Sequence, residues 1–370
     1  MLTPKEIEEL RYASAHLLDD TIDLIYSDII ALIKKTGKLT DTAAYNLLLL
    51  SYLGENNTVI YKRISASLGT TDAALRRLIE DTTRKTYADD VKRITGNDVE
   101  LGKRRLRRLT RGILKSCAGD IANLTKTMGF VVDGKFSSLS DVYRKVSGEA
   151  FKAVATGAMS YNEAVLKAAA PLISSGVKTI NYETGAVMDV RAAIRRNVMS
   201  SIGELTNKIS EQNFKDLGCD GWEISAHMAC APDHESIQGR QFTAKEWDRL
   251  DAGLKRHLGT LNCGHIKFPI IIGKSQPVYS ESTLKAYKDK NKKGVTYDGQ
   301  HYTTYEATQK QRAIENAIRK TREEMEHYIS LGAAGEEKAK RLRLKSASLR
   351  RLYNDFCSKT GLTPQYNRLR

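Results

Sequence analysis

Proline is scarce in this chain, six in 370 residues, and aromatic side chains make up only 7% of it. Both shortages tell against a sheet-rich fold, and the abundance of Ala, Leu, Ile, Lys and Glu favours helix. No apolar run approaches the roughly 18 residues that span a bilayer. The longest candidates are Leu47 to Leu50 and the strand-like Pro269 to Ile272. The opening MLTPKEIEELR is acidic and helical and lacks the basic head and apolar stretch of a secretory signal. Five cysteines, an odd number scattered over a long chain, do not suggest a disulfide framework. Together these absences point to a protein made and assembled in a reducing cytoplasm. No repeat of fixed period is visible, and HExxH, GxSxG, P-loop and Rossmann glycine patterns are all missing, which disfavours the commoner catalytic frameworks. Acidic residues are in deficit too, 44 against 59 basic ones, for a net charge of +15. A field of that sign concentrates polyanions, so DNA, RNA or an acidic protein surface is the expected partner class.

What is present reads as helices. Thr3-Pro4-Lys5-Glu6 is a start signal: Thr3 caps, Pro4 sits where no N–H is needed, and Glu6 completes a capping box. The helix that follows carries Leu18, Ile22, Ile25, Ile29 and Leu32 on one face and ends at Gly37. Thr40-Asp41 opens a second through Leu50, and Gly54, Gly69 and Gly96 punctuate further ones. Helices are expected from Ser140 to about Gly157, Ser160 to about Ser174 and Arg191 to about Phe214, with a small hairpin of Lys178 to Tyr182 and Ala186 to Val190. A second hairpin is predicted where Asp298-Gly299 separates Val295-Thr296-Tyr297 from His301-Tyr302-Thr303. Two helices, about Thr304 to Leu331 and Glu336 to Ser358, close the chain. The predicted fold is mainly α with a small α+β Cys/His module, a helical bundle at the N-terminus and a helical hairpin at the C-terminus. Its expected parts are the bundle (1–130), helices and a small hairpin (131–220), the Cys/His module (221–275), a basic linker and hairpin (276–303) and basic C-terminal helices (304–370).

The densest basic run is Lys103, Arg104, Arg105, Arg107, Arg108, Arg111 and Lys115. At helical spacing Arg104, Arg107, Arg108 and Arg111 share a broad face with Lys103 and Lys115, opposite Leu106, Leu109 and Ile113. Such a face is either solvated or turned to an anion; like charges four residues apart repel unless something anionic relieves them. Because no aromatic residue is interleaved, contact with phosphates rather than bases is expected.

Between Trp222 and Gly273 the chain gathers four of its seven histidines and two of its five cysteines: His227, Cys230, His234, His257, Cys263 and His265. Zinc takes about four N or S ligands in a tetrahedron. His227, His234, Cys263 and His265 are the candidate set, with Cys230 as the rival to His227. The alternatives remain open: histidines hydrogen-bonded to turns with a buried apolar Cys263, a metal site beside Asp233 and Glu235 able to hydrolyse phosphodiesters, or a Cys263–His234 nucleophile pair.

His227, Pro232, His234, Gln238, Gly239, Asn262, Cys263, His265, Pro269 and Gly273 reproduce a spaced pattern, and a second patch follows in order: Tyr297, Asp298, Gly299, Tyr302, Tyr305, Glu306, Ala307, Thr308, Gln309, Gln311 and Arg312. Over roughly residues 140 to 330 the chain thereby resembles the phage minor capsid protein 2 family, related to head morphogenesis proteins of the phage Mu type. It departs at Ala231, where a basic residue is usual, and at Gly264, where an arginine is usual. The resemblance implies a minor structural protein of a phage head, not an enzyme, assembled in the host cytoplasm and oligomeric in the particle. It would sit in the capsid interior or at the portal vertex, touching portal protein, possible major capsid or scaffolding protein, and packaged double-stranded DNA. The runners-up are a metal-dependent DNA-processing enzyme and a cargo protein delivered with the genome.

Overall fold

Thr3 and Glu6 form the expected reciprocal cap: the Thr3 hydroxyl accepts the Glu6 backbone N–H, and the Glu6 carboxylate accepts the Thr3 N–H at 2.7 Å. This starts α1 (Pro4–Ala15) in the computed structural model, which describes residues 3–39, 41–53, 58–181, 183–254, 257, 258, 263 and 265–369. The first helix does not run on to Gly37 as expected. It breaks at His16–Leu18, where His16 Nδ1 meets the Asp19 carboxylate at 2.6 Å and a new helix, α2 (Asp19–Thr36), begins. The predicted stripe survives on α2, with Ile22, Ile25, Ile29 and Leu32 all buried. Next come α3 (Thr42–Leu53) and α4 (Thr58–Thr95). Thr40, Gly54, Tyr182, Asn262 and Gly264, all singled out in the sequence, lie outside the described residues. Gly69 does not end a helix: α4 passes straight through it, since a glycine costs only about 1 kcal/mol and Ile64, Leu75 and Ile79 are packed on either side. Gly96 does end it, at φ +74°.

After α5 (Lys103–Lys126) comes a hairpin not expected from the sequence, β1 (Met128–Val132) and β2 (Lys135–Ser138), turning on Asp133 and Gly134 at φ 52° and 75°. Its Asp-Gly turn is the same signal as Asp298-Gly299, but it follows the preceding helix almost without a break. The chain continues through α6 (Leu139–Ala155), α7 (Tyr161–Ser175) and the expected small hairpin, β3 (Lys178–Ile180) with β4 (Val187–Asp189). The two hairpins join as one antiparallel sheet in the order β2-β1-β3-β4.

Asp189 then caps α8 (Val190–Asp216), accepting the N–H groups of Arg191 and Ala192. α8 packs against α1, α4 and α5, and its Ile194, Val198, Ile202, Leu205 and Ile209 are buried in the main core. It leads into a three-stranded antiparallel sheet of β5 (Gly221–Ile224), β6 (Gln241–Thr243) and β7 (Lys267–Ile270), order β6-β5-β7, crossed by α9 (Ala244–Gly253). The segment expected as a basic linker is a helix, α10 (Glu281–Lys293), capped by Ser280. It buries no residue and is rich in lysine, so composition alone resembled a linker. The Asp298-Gly299 hairpin forms as predicted, β8 (Val295–Tyr297) with β9 (Gln300–Tyr302), followed by the antiparallel pair α11 (Thr304–Ser330) and α12 (Glu336–Thr360). That pair has its own core of Ile314, Ile318, Tyr353 and Phe356, while Tyr328, Leu331 and Ala339 join the main one. No described helix is long and apolar enough to cross a membrane.

Asp90 on α4 is buried against α8, accepting hydrogen bonds from Ser210 at 2.9 Å and Asn213 at 3.2 Å. Burial pushes its carboxyl up to about 6, and the two hydrogen bonds only partly offset this. The folded state therefore binds the proton more tightly than the unfolded chain, so this group's contribution is present in acid and is lost as pH rises from near 4 through about 6. Asp90→Asn should be as stable as wild type or more stable at pH 8, with the difference shrinking below pH 6; urea denaturation across pH 4 to 8 checks this, and a pH-independent gap would contradict it.

Candidate metal centre and the cavity beside it

The Cys/His module is built on a small apolar core of Trp222, Ile224, Ile237, Trp247 and Leu258, with Phe214 stacked on Trp222. In its central strand Glu223 is fully buried and held by Gln241 Nε2 and the Val278 N–H, both at 2.9 Å. Two loops meet at the strand ends. They are tied by Ser225, whose N–H donates to Ile266 O and whose Oγ accepts the Ile266 N–H, each at 2.9 Å. A short 3-10 turn, Pro232–His234, brings one histidine inward. Gly239 follows at φ +70°, and a Cβ there would stand 2.3 Å from Leu284, so only glycine fits.

These constraints bring His234, Cys263 and His265 together, all buried, with ligand atoms within 4.8 Å of one another. Cys263 Sγ is 3.2 Å from His234 Nδ1 and 3.5 Å from His265 Nδ1. A zinc tetrahedron with S at about 2.3 Å and N at about 2.0 Å has S···N edges near 3.5 Å, so the three donors fit one ion. The outer contacts suit the same use. Gln238 Oε1 lies 3.3 Å from His265 Nε2 and also accepts the His227 N–H at 3.2 Å. An Nε2–H donated to Gln238 leaves the Nδ1 lone pair turned toward Cys263. On the other ligand, Asp233 stands 3.9 Å from His234 Nε2.

His227 lies apart from this trio. Its ring stacks on His265 at 4.4 Å, its Nδ1 is 2.9 Å from Met228 O, and its buried Nε2 has no hydrogen-bond partner among the described residues. Burial holds its pKa below the ordinary imidazole value. Cys230, the rival ligand, approaches the other nitrogen of the His265 ring, 3.5 Å from Nε2. His257 is exposed, 3.4 Å from Asp251. The Cys263–His234 pair has the proximity a nucleophile and base need, but His265 presses on the same sulfur, an arrangement better suited to a shared ion.

His234, Cys263 and His265 all open on a cavity of about 520 Å³ whose other wall comes from α1, α8 and α11. Three protein donors with one side facing a cavity is the pattern of an open zinc site. The second candidate surface is separate. On α5, Arg104, Arg107, Arg108 and Arg111 are exposed, while Leu106 and Ile113 are buried and Leu109 is half-buried. Among the described residues none of the four arginines makes a salt bridge, whereas Arg105 turns inward to Asp216 at 2.7 Å and to Tyr87.

One zinc per chain is the expected stoichiometry of the purified protein. Gln238→Ala should weaken zinc affinity roughly 10- to 100-fold, and His227→Ala should leave the stoichiometry unchanged. Metal analysis finding well under one zinc in wild type, or loss of the metal with His227→Ala, would contradict the three-donor assignment.

A model of the family described as phage minor capsid protein 2 matches residues 2–354, taking in the bundle, the module and most of the C-terminal pair. No curated protein and no solved structure matches the chain. The sequence resemblance, drawn from residues 140 to 330, thus extends over almost the whole length. The chain belongs to the phage minor capsid protein 2 family.

Proposed function

We propose that this minor capsid protein is a structural component of the portal vertex, oligomeric in the particle, with the outer face of α5 turned to packaged DNA. The observation that carries the reading is the row of Arg104, Arg107, Arg108 and Arg111, exposed and making no salt bridge among the described residues. Four like charges on one helix repel one another, and a phosphate backbone relieves that repulsion without demanding base-specific contacts. Leu106 and Ile113 fix the helix against α4 and α8, so the charges are presented on a rigid support. On α3, Leu47 and Leu50 are exposed, and such leucines suit contact with neighbouring chains of a ring. Zinc held by His234, Cys263 and His265 would pin the two loops of the module; when bound it supplies a fixed crosslink and a local positive charge.

A second reading is favoured by one feature, the open side of that trio. A metal with a free position facing an arginine-lined cavity is also the arrangement of a phosphodiester hydrolase. Metal-dependent nicking of plasmid DNA, abolished by His234→Ala, would select it over the structural role.

Replacing Arg104, Arg107, Arg108 and Arg111 by Gln should weaken duplex binding at any sequence and lower the slope of log affinity against log salt by roughly three to four. Co-expression with the phage's portal protein should give a complex that survives purification. Unchanged salt dependence would assign α5 another partner, and failure to associate with portal would remove the vertex placement.

A further inference from the structure

The wall of the cavity facing the candidate metal centre carries five arginines, Arg11 on α1, Arg195 on α8, Arg312 and Arg319 on α11, and Arg368, against two carboxylates, Glu8 and Glu315. Glu8 is already fully engaged: it contacts Arg11, Arg312 at 2.5 Å and Arg368 at 3.5 Å. Burial pushes its carboxyl up, but Arg312, Arg11 and Arg368 together outweigh burial and hold it below the usual range. Arg368 also reaches Glu315 at 3.8 Å. Arg195 and Arg319 are left over. The Arg319 guanidinium donates to Asn316 and stands 3.4 Å from His16 Nε2; among the described residues it makes no salt bridge, and Arg195 makes neither a hydrogen bond nor a salt bridge. Burial, with Arg11 and Arg312 adding to it, draws the Arg195 pKa below its ordinary value. Glu8 offsets part of this positive field but is shared with Arg11, Arg312 and Arg368, and a half-buried cation among so many others is unfavourable unless a further anion enters from outside.

We propose that this cavity binds the phosphate group of a nucleotide-sized ligand, held between Arg195 and Arg319. A phosphate dianion suits the surplus better than a carboxylate because it brings more charge and three oxygens to planar guanidinium donors. The volume of about 520 Å³ falls within the usual range of small-molecule sites and leaves no room for a duplex. Tyr12 and Tyr305 line the same space and offer rings on which a base can stack. The ligand chemistry has two sources, a free nucleotide or the 5′-phosphorylated end of a DNA strand. None of these residues lies on α5, so the site stands apart from the DNA-facing surface proposed above.

The test is calorimetric titration of the full-length protein carrying the four Arg→Gln changes on α5, which removes binding at that face. The probes are deoxyadenosine 5′-monophosphate, deoxyadenosine, and a short single strand with and without a 5′-phosphate. At least one phosphorylated probe should bind once per chain, roughly tenfold or more tighter than its phosphate-free counterpart. Binding of the mononucleotide identifies a free nucleotide, and binding of the phosphorylated strand alone identifies a strand end. Arg195→Gln and Arg319→Gln should each weaken binding by a similar factor, and Arg319→Lys, which keeps the charge and the fold, should weaken it less than Arg319→Gln. Equal binding with and without phosphate, no saturable binding of any probe, or affinity unchanged in both Gln variants would overturn the proposal.

Discussion

Burial of the apolar stripe on α8 is the constraint on which the rest of the molecule depends. Ile194, Val198, Ile202, Leu205 and Ile209 are almost completely removed from water, and removing side chains of that size stabilises by about 1.5 to 3 kcal/mol each before entropy is counted. Against this one helix pack α1, α4 and α5, and β7 of the Cys/His module rests on it as well. At its N-terminus Arg191 bridges Asp19 of α2 at 2.7 Å and Glu323 of α11 at 2.9 Å, so the first and last helical layers are joined through the same element. Displacing α8 would loosen the basic face, the candidate metal loops and the arginine wall together.

The net charge of +15 is sorted by this framework rather than spread evenly. On α5 the arginines stand in solvent on a helix whose other side is clamped. Around the cavity they are drawn inward from helices far apart in sequence and partly neutralised by Glu8. The first arrangement suits a long polyanion that lies across a surface, the second a small anion that enters a recess. On the readings proposed above, the same residue type would support two distinct interactions, separated by what surrounds it.

Much of this was legible in the sequence because the signals were local. The capping box of Thr3 with Glu6, the helical spacing of α5, and the Asp-Gly turn before β9 depend on residues a few positions apart, and each formed as read. The break at His16–Leu18 escaped because the apolar period continues across it, and Gly69 misled because packing overrides a weak propensity. In the module, residue types and spacing pointed to the right neighbourhood. They did not reveal that the His227 ring stacks on His265. The arginine wall was invisible: Arg11, Arg195 and Arg312 are brought together only by helix packing, and no sequence period connects them.

The central claim is that the protein is a structural part of the phage head, set at the portal vertex with α5 toward the genome. A cryo-electron microscopy map of the vertex in the intact virion tests it most directly. The account predicts density for this fold in contact with the portal ring, with the Arg104 to Arg111 face against the outermost layer of packaged DNA. A particle that lacks the protein at the vertex, or one in which that face points away from DNA, would contradict it.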